Sequence, residues 1–545
     1  MRCRLACAVL TLSLAIPVSL SAQLDSVGSL NFPTSGSADA QRYFLRGVAI
    51  LHSFGWKQAI EQFQLAQKAQ PDFAMAYWGE TLCYNHPLNA LGDDKNPRAV
   101  LARLGATRAA RLAKAPTARE KGFLEAVEEL WAEGADWRVR KVAYMNVMER
   151  LYKQFPEDDE VKTFYALSLL SGARATNDST FRLEVKAGAL AMDVFKRNPN
   201  HPGAVHYIIH AFDDPVHAPM ALDAAKVYAR IVPAVSHAVH MPTHIFIQHG
   251  MWTEVANQNV RAFNVGRELY KIGDSPGDMA HSGDWGQYGF LQLGDYEGAR
   301  ERTRMFEELA AAEKNPRLNS VIALTKARYI IESEEWKVQP VADDASNETL
   351  LANGISAVRT ADLATADKML AMLEKKAMAA PGAQAAANPH ADHGGGAAAA
   401  PAAAGRPAQA MNEGNADAGK SVRIMHKELA ALIAEAKGQK DQAIALLQEA
   451  TALEASMRPP NGAADPVKPS HELLGEVLLR AGRAADAATA FETSLERMAN
   501  RSRSLHGAAL AHAAAGNRDK SAERWATLQS YWKGKPFDRP TTEAR

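Results

Sequence analysis

Residues 482–494 read GRAADAATAFETS and residues 516–528 read GNRDKSAERWATL. The two stretches begin 34 residues apart. Each puts a small residue five positions after its glycine (Ala487, Ser521), a large one at nine (Phe491, Trp525) and another packing residue at twelve (Ser494, Leu528). The same offsets run from Gly438 to Ala443, Leu447 and Ala450, and from Phe54 to Ala59, Phe63 and Ala66, with Pro71 closing that unit. Shorter echoes start at Gly250, which leads to Val255, and at Gly294, which leads to Ala299. The spacing has a mechanical reading. The anchor ends one helix in a tight turn, and the small residue lets the next helix approach it. The large residue fills the gap between the two, and the last one meets the following unit. A period of 34 with this pattern is that of the tetratricopeptide hairpin.

Outside these stretches the chain shows apolar residues at three- and four-residue spacing, in blocks of about a dozen between Gly, Pro or Asn, and little that reads as strand. An all-α fold follows, with tetratricopeptide-like hairpins stacked into a right-handed superhelix, an α-solenoid. Each hairpin leaves a face unburied until a neighbour covers it, so several are needed. One boundary stands out. Residues 379–419 are rich in Ala, Gly and Pro and cannot bury enough apolar surface to offset chain entropy. The expected organisation is a leader at 1–22, a histidine-bearing array at 23–378, a disordered, flexible linker at 379–419 and a second array at 420–545.

The chain has 545 residues, of which 47% are apolar and 23% charged, values of a globular protein. Lys+Arg and Asp+Glu both number 62, and zero net charge argues against a nucleic-acid partner. Arg2 and Arg4, the apolar stretch from Leu5 to Leu20 and the small residues Ser21 and Ala22 form the three parts of a secretory signal, so an exported protein, periplasmic or secreted, is expected. No other run is long enough for a membrane span. Cys3 and Cys7 would leave with the signal. The mature chain then keeps Cys83 alone, which excludes an internal disulfide and a Cys-rich zinc site.

Two motif matches lead nowhere. GNADAGKS at 414–421 fits the phosphate-loop pattern, but that pattern needs a strand before it and here an Ala/Pro-rich stretch precedes, so no nucleotide cofactor is expected. His471-Glu472 lacks the second histidine of a zincin, because Gly475 stands in its place.

Histidine is the informative residue. Nine of the 17 fall between 201 and 281, where two or three would fall by chance. His206 and His210 are four apart, as are His240 and His244, and on a helix that spacing puts both rings within reach of one cation. His281 heads a later segment. Asp213, Asp214 and Asp284 lie near enough in sequence to supply oxygen ligands or to fix histidine tautomers. The expected metal ligands are His206, His210, His240, His244, His281 and Asp213, and imidazole with carboxylate suggests zinc or iron. Asp214 or Glu80 is the expected general base. His52, His86 and Asp284 form a second tier. Tyr77 and Trp78 read as repeat packing, and His390 and His393 as residues of the linker.

The blocks AMAYWGE (74–80), NHPL (85–88), HPGAVHYIIHAFDDPVHAP (201–219), HAVHMPTHIF (237–246), HSGDW (281–285) and SHELLGEVLL (470–479) together resemble an exported bacterial family of tetratricopeptide-repeat proteins. The resemblance spans most of the chain outside the linker. It implies the repeat fold and singles out the histidine-bearing blocks. It supplies no reaction. Two functions are therefore expected. One is a scaffold that binds a peptide, protein or small-molecule ligand in its concave groove. The other is a metal-dependent hydrolase or oxidase built on His206, His210, His240 and His244.

Overall fold

The computed structural model describes residues 26–313, 315–379 and 414–540. The leader, with Cys3 and Cys7, lies outside them, as do His390, His393 and most of the expected linker.

The chain is an all-α solenoid of tetratricopeptide-like hairpins. Seven turns share one closure. Phe54, Gly250, Gly294, Ala361, Gly438, Gly482 and Gly516 all have φ between 56° and 81°. At each, the next residue's N–H bonds the carbonyl five positions back, from Gly55 to Ile50 through Asn517 to His512, at 2.8–3.1 Å. This is the Schellman closure, which glycine favours because it has no Cβ to clash in the left-handed region. The positions five after the anchors are occupied by Ala59, Val255, Ala299, Ala366, Ala443 and Ala487, all fully buried, and by Ser521, also buried. Position nine is filled by Phe63 in the first hairpin and Phe491 near the end. Their rings press on glycines of neighbouring helices: a Cβ at Gly79 would lie 2.3 Å from Phe63, and one at Gly507 2.2 Å from Phe491. The offsets read from the sequence are therefore packing positions.

Hairpins follow one another from Ala38–His52 with Trp56–Ala69 to Ser502–Ala514 with Arg518–Gln529. The main core runs from Val27 through Tyr288 and takes in Ala463, Ala464 and Met498 from much later in the chain. A second core joins Leu324–Leu373 to Val422–Ala511. The helices on either side of residues 380–413 thus share one core, and a Cβ at Gly354 would meet Leu429 at 2.4 Å. The phosphate-loop look-alike at 414–421 runs as the opening turns of the helix Gly414–Ala436. Among the described residues no helix is long and apolar enough to cross a membrane.

The C-terminal part also folds back onto the histidine-bearing hairpins. Arg501 Nη1 donates to the Tyr288 hydroxyl at 3.1 Å, and Ser502 N donates to Gln292 Oε1 at 3.0 Å. Between the helices Lys440–Ala455 and Ser470–Arg480, the connection sends Asn461, Gly462, Ala463 and Ala464 against the first array. A Cβ at Gly462 would lie 2.4 Å from the Trp285 ring.

Candidate metal centre

Three first-of-pair helices supply the rings. Pro202–Ala211 begins with Pro at its first turn and carries His206 and His210 one turn apart, ring centroids 4.6 Å from each other. The segments Ser236–His240 and Pro242–Gln248 meet at Met241, whose φ of −50° and ψ of −38° are helical. Pro242 therefore starts a segment instead of breaking one, and His237, His240 and His244 follow the three-then-four spacing of one helix face. Gly277–Leu293 carries His281.

The packing sorts these six rings into two triads. His206, His210 and His237 form one, and His240, His244 and His281 the other; within each, one nitrogen per ring lies within 4.8 Å of the others. The four expected ligands do not surround a single point. They divide by helix, and His237, absent from the expected ligand set, completes the first triad. Metal–nitrogen bonds of ~2.0–2.1 Å put ligand nitrogens ~3.3–3.6 Å apart, so closing either triad takes shifts of about an ångström or less. Five of the six rings are at most 3% exposed, and His210 is half-buried. Phe54 packs on the first triad (4.4 Å to His206, 5.2 Å to His237) and Trp285 on the second (4.4 Å to His244, 5.0 Å to His240 and His281). The groove side of these helices is not open here: Asn461 Nδ2 reaches Asp213 Oδ2 at 3.4 Å, and Gln248 Nε2 reaches the Pro460 carbonyl at 3.3 Å.

Hydrogen bonds fix the tautomers. His244 Nδ1 lies 2.6 Å from Asp213 Oδ2, an acceptor, so Nδ1 carries the proton. His240 Nδ1 lies 2.6 Å from Asn259 Oδ1, and Asn259 Nδ2 donates to the Val255 carbonyl at 2.9 Å, which fixes the amide's orientation. The Nε2 atoms of the two rings face each other at 3.1 Å. Either a proton or a metal ion between them accounts for that approach. In the first triad the His52 carbonyl takes the His206 Nδ1 proton at 2.6 Å, leaving His206 Nε2 as a lone pair 3.1 Å from His237 Nε2. Burial keeps His206 neutral, holding its pKa down at about 3.

A third group, His52, Glu160 and His201, differs in kind. His201 Nδ1 accepts from Ala204 N at 3.2 Å and its Nε2 donates to Glu160 Oε1 at 3.1 Å. His52 Nε2 donates to Glu160 Oε2 at 2.9 Å while its Nδ1 accepts from the Tyr207 hydroxyl, also at 2.9 Å. Protons alone satisfy all four ring nitrogens, so the group needs no metal. Burial would raise the Glu160 carboxyl, but attraction to His201 and His52 and the hydrogen bonds from both rings outweigh it and bring its pKa to about 2. A depressed carboxyl adds stability above its unfolded pKa, near 4.5, and loses it as pH falls toward 2. Between those values the loss should reach about 3 kcal/mol, and Glu160→Gln should flatten that part of a urea-unfolding profile measured against pH.

The other expected residues are engaged elsewhere. Glu80 is bound by Gln64, Gln67 and Arg103. Asp214 caps its own turn through Val216 N and His217 N and takes His217 Nδ1 at 2.7 Å. Asp284 pairs with Arg328 at 2.5 Å, both buried. His86 packs near Phe54 and Trp56, and its carbonyl accepts from Lys141. Asp213 joins the cluster, behind His244. Removing such a support lowers metal affinity by about 10–100-fold in known sites. Asp213→Ala should do the same here, read by competition with a chromophoric chelator.

No protein-family description matches the chain, and neither does any curated protein. Solved structures do show similarity. The human IFIT1 dimer with m7Gppp-AAAA is 12% identical, with a TM-score of 0.32 over 94% of this chain and 92% of that one. The APC/C hetero-tetramer Cut9-Hcn1 is 12% identical, with a TM-score of 0.33 over 89% and 78%. Yeast Tom70 is 11% identical, with a TM-score of 0.26 over 90% and 85%. None of these likenesses carries a ligand or an activity over to this chain.

Proposed function

We propose that this is an exported helical-repeat protein whose working part is a transition-metal centre at His240, His244 and His281, flanked by His206, His210 and His237. One observation carries the reading. The Nδ1 atoms of His240 and His244 bond to Asn259 and Asp213, and in that buried site their Nε2 atoms face each other at 3.1 Å, with a His281 nitrogen within 4.8 Å. A metal held by three imidazoles keeps a position for another ligand, where it supplies Lewis-acid or electron-transfer chemistry. The chain's own part is to hold the rings in fixed tautomers, exclude water with Phe54 and Trp285, and leave access on the side of His210. With Glu80 and Asp214 tied up elsewhere, no general base is assigned.

The solenoid itself supports the binding of a ligand. Phe54, whose ring covers the first triad, also borders a partly open pocket together with Trp56, Lys57, Tyr270 and Asp274. A small molecule or peptide end bound there would have one aromatic ring between it and the histidines.

Elemental analysis of protein purified without an affinity tag tests the reading. A stoichiometric transition metal is expected in the wild-type chain, reduced in a His240→Ala/His244→Ala variant of unchanged circular dichroism. A metal-free wild type would overturn it and assign the gap to a shared proton, with Asp213 balancing the charge on His244.

A further inference from the structure

Resting on that metal reading, we infer that the six imidazoles hold two copper ions side by side, taken up as copper(I). The two triads are one continuous cluster. His210 and His244 have ring centroids 6.1 Å apart and His237 and His240 6.4 Å apart, across the boundary between triads. Spacings within the triads run to the same values, 6.1 Å for His210–His237 and 6.0 Å for His244–His281. Ions seated in both triads would be near neighbours.

The donor set selects the metal. Zinc or iron is the expectation for imidazole with carboxylate, and among the described residues the two groups of side chains placed to hold an ion here are all histidine. Asp213 stands behind His244, Asp214 holds His217, and Asp284 is neutralised by Arg328. What remains is six imidazoles, which bring no negative charge. Two divalent ions would place four positive charges among rings that are nearly all buried, with Asp213, which already accepts from His244 Nδ1, beside them. A buried charge without a partner is strongly disfavoured. Two copper(I) ions halve that burden, and Asp213 balances half of what is left. Imidazole suits copper as it suits zinc, and among divalent ions nitrogen sites favour copper over zinc. The tautomer locks on His206, His240 and His244 come from a carbonyl, an amide and a carboxylate, so the lone pairs are set before any ion arrives.

The test uses the full chain, stripped with a chelator and reloaded without oxygen in an equimolar mixture of copper(I) and zinc(II), followed by gel filtration and elemental analysis. Two copper ions per chain and no zinc are expected, falling to one copper in His237→Ala with unchanged circular dichroism. Two zinc ions would overturn the choice of copper while leaving the metal centre in place. One metal of any kind per wild-type chain would overturn the pairing. No uptake at all would overturn this inference and the reading beneath it together.

Discussion

Returning metal to the stripped wild-type chain should raise its unfolding free energy by ~4 kcal/mol when free metal stands at ~1,000 times its dissociation constant. The His240→Ala/His244→Ala variant, which keeps only the triad of His206, His210 and His237, should show a smaller gain. The reason lies in what the unfolded chain lacks. His240 and His244 come from one short stretch, but His281 is brought in by packing of a separate helix, so the unfolded chain offers no preformed triad. Binding free energy is then folding free energy. Thermal and denaturant unfolding of stripped and reloaded protein, wild type against variant, reads the difference.

The second large effect concerns Arg501. Its side chain is fully buried between Glu472 and Glu332, both also buried, and it reaches the Tyr288 hydroxyl. Glu472 takes two of its nitrogens, at 2.8 and 3.1 Å. Arg501→Met would leave Glu472 with Lys468 at 2.9 Å and Glu332 with Arg503 at 3.9 Å, and breaking a buried pair costs at most about 3–5 kcal/mol when such partners remain. Replacing Glu472 and Glu332 by apolar residues in the same chain should recover much of that loss, since the cost comes from the uncompensated charge. Tyr288 sits on the helix that carries His281, so the lesion also loosens the attachment of the C-terminal hairpins to the metal-bearing ones. Protease cleavage between 456 and 469, where Asn461 and Gly462 lie over Asp213 and Trp285, should accelerate in Arg501→Met and be restored in the triple variant.

The hairpins were legible because each is local. Anchor, small residue and large residue lie within thirteen positions, and Phe54, unusual as an anchor, was still recognised from Ala59, Phe63 and Ala66 downstream. The histidines were legible as a group but not in their arrangement. Spacing of four puts His206 with His210 and His240 with His244, and both pairs hold in the structure. Which pair meets which neighbour depends on how hairpins stack, which no local spacing records. His237 did leave a signal, since 237, 240 and 244 follow one helical face, and it was passed over for the four-residue pairs. Asn259 left another. It stands nine positions after Gly250, where Phe63 and Phe491 fill the equivalent gap, and a polar residue there marks a hairpin built to hold His240. Asp213 and Asp214 are adjacent in sequence, yet one supports His244 and the other closes its own turn. Glu160 could not be foreseen as the partner of His52, because 108 residues separate them. Asn461 lies 248 residues from Asp213 and was equally out of reach.

The most direct test is anomalous diffraction from crystals of untagged protein, collected on both sides of the absorption edges of copper and zinc. The account predicts an anomalous peak ~2.0–2.1 Å from the Nε2 atoms of both His240 and His244, with His281 closing the triad. Well-ordered rings whose Nε2 atoms share only a proton, with no peak between them, would contradict it.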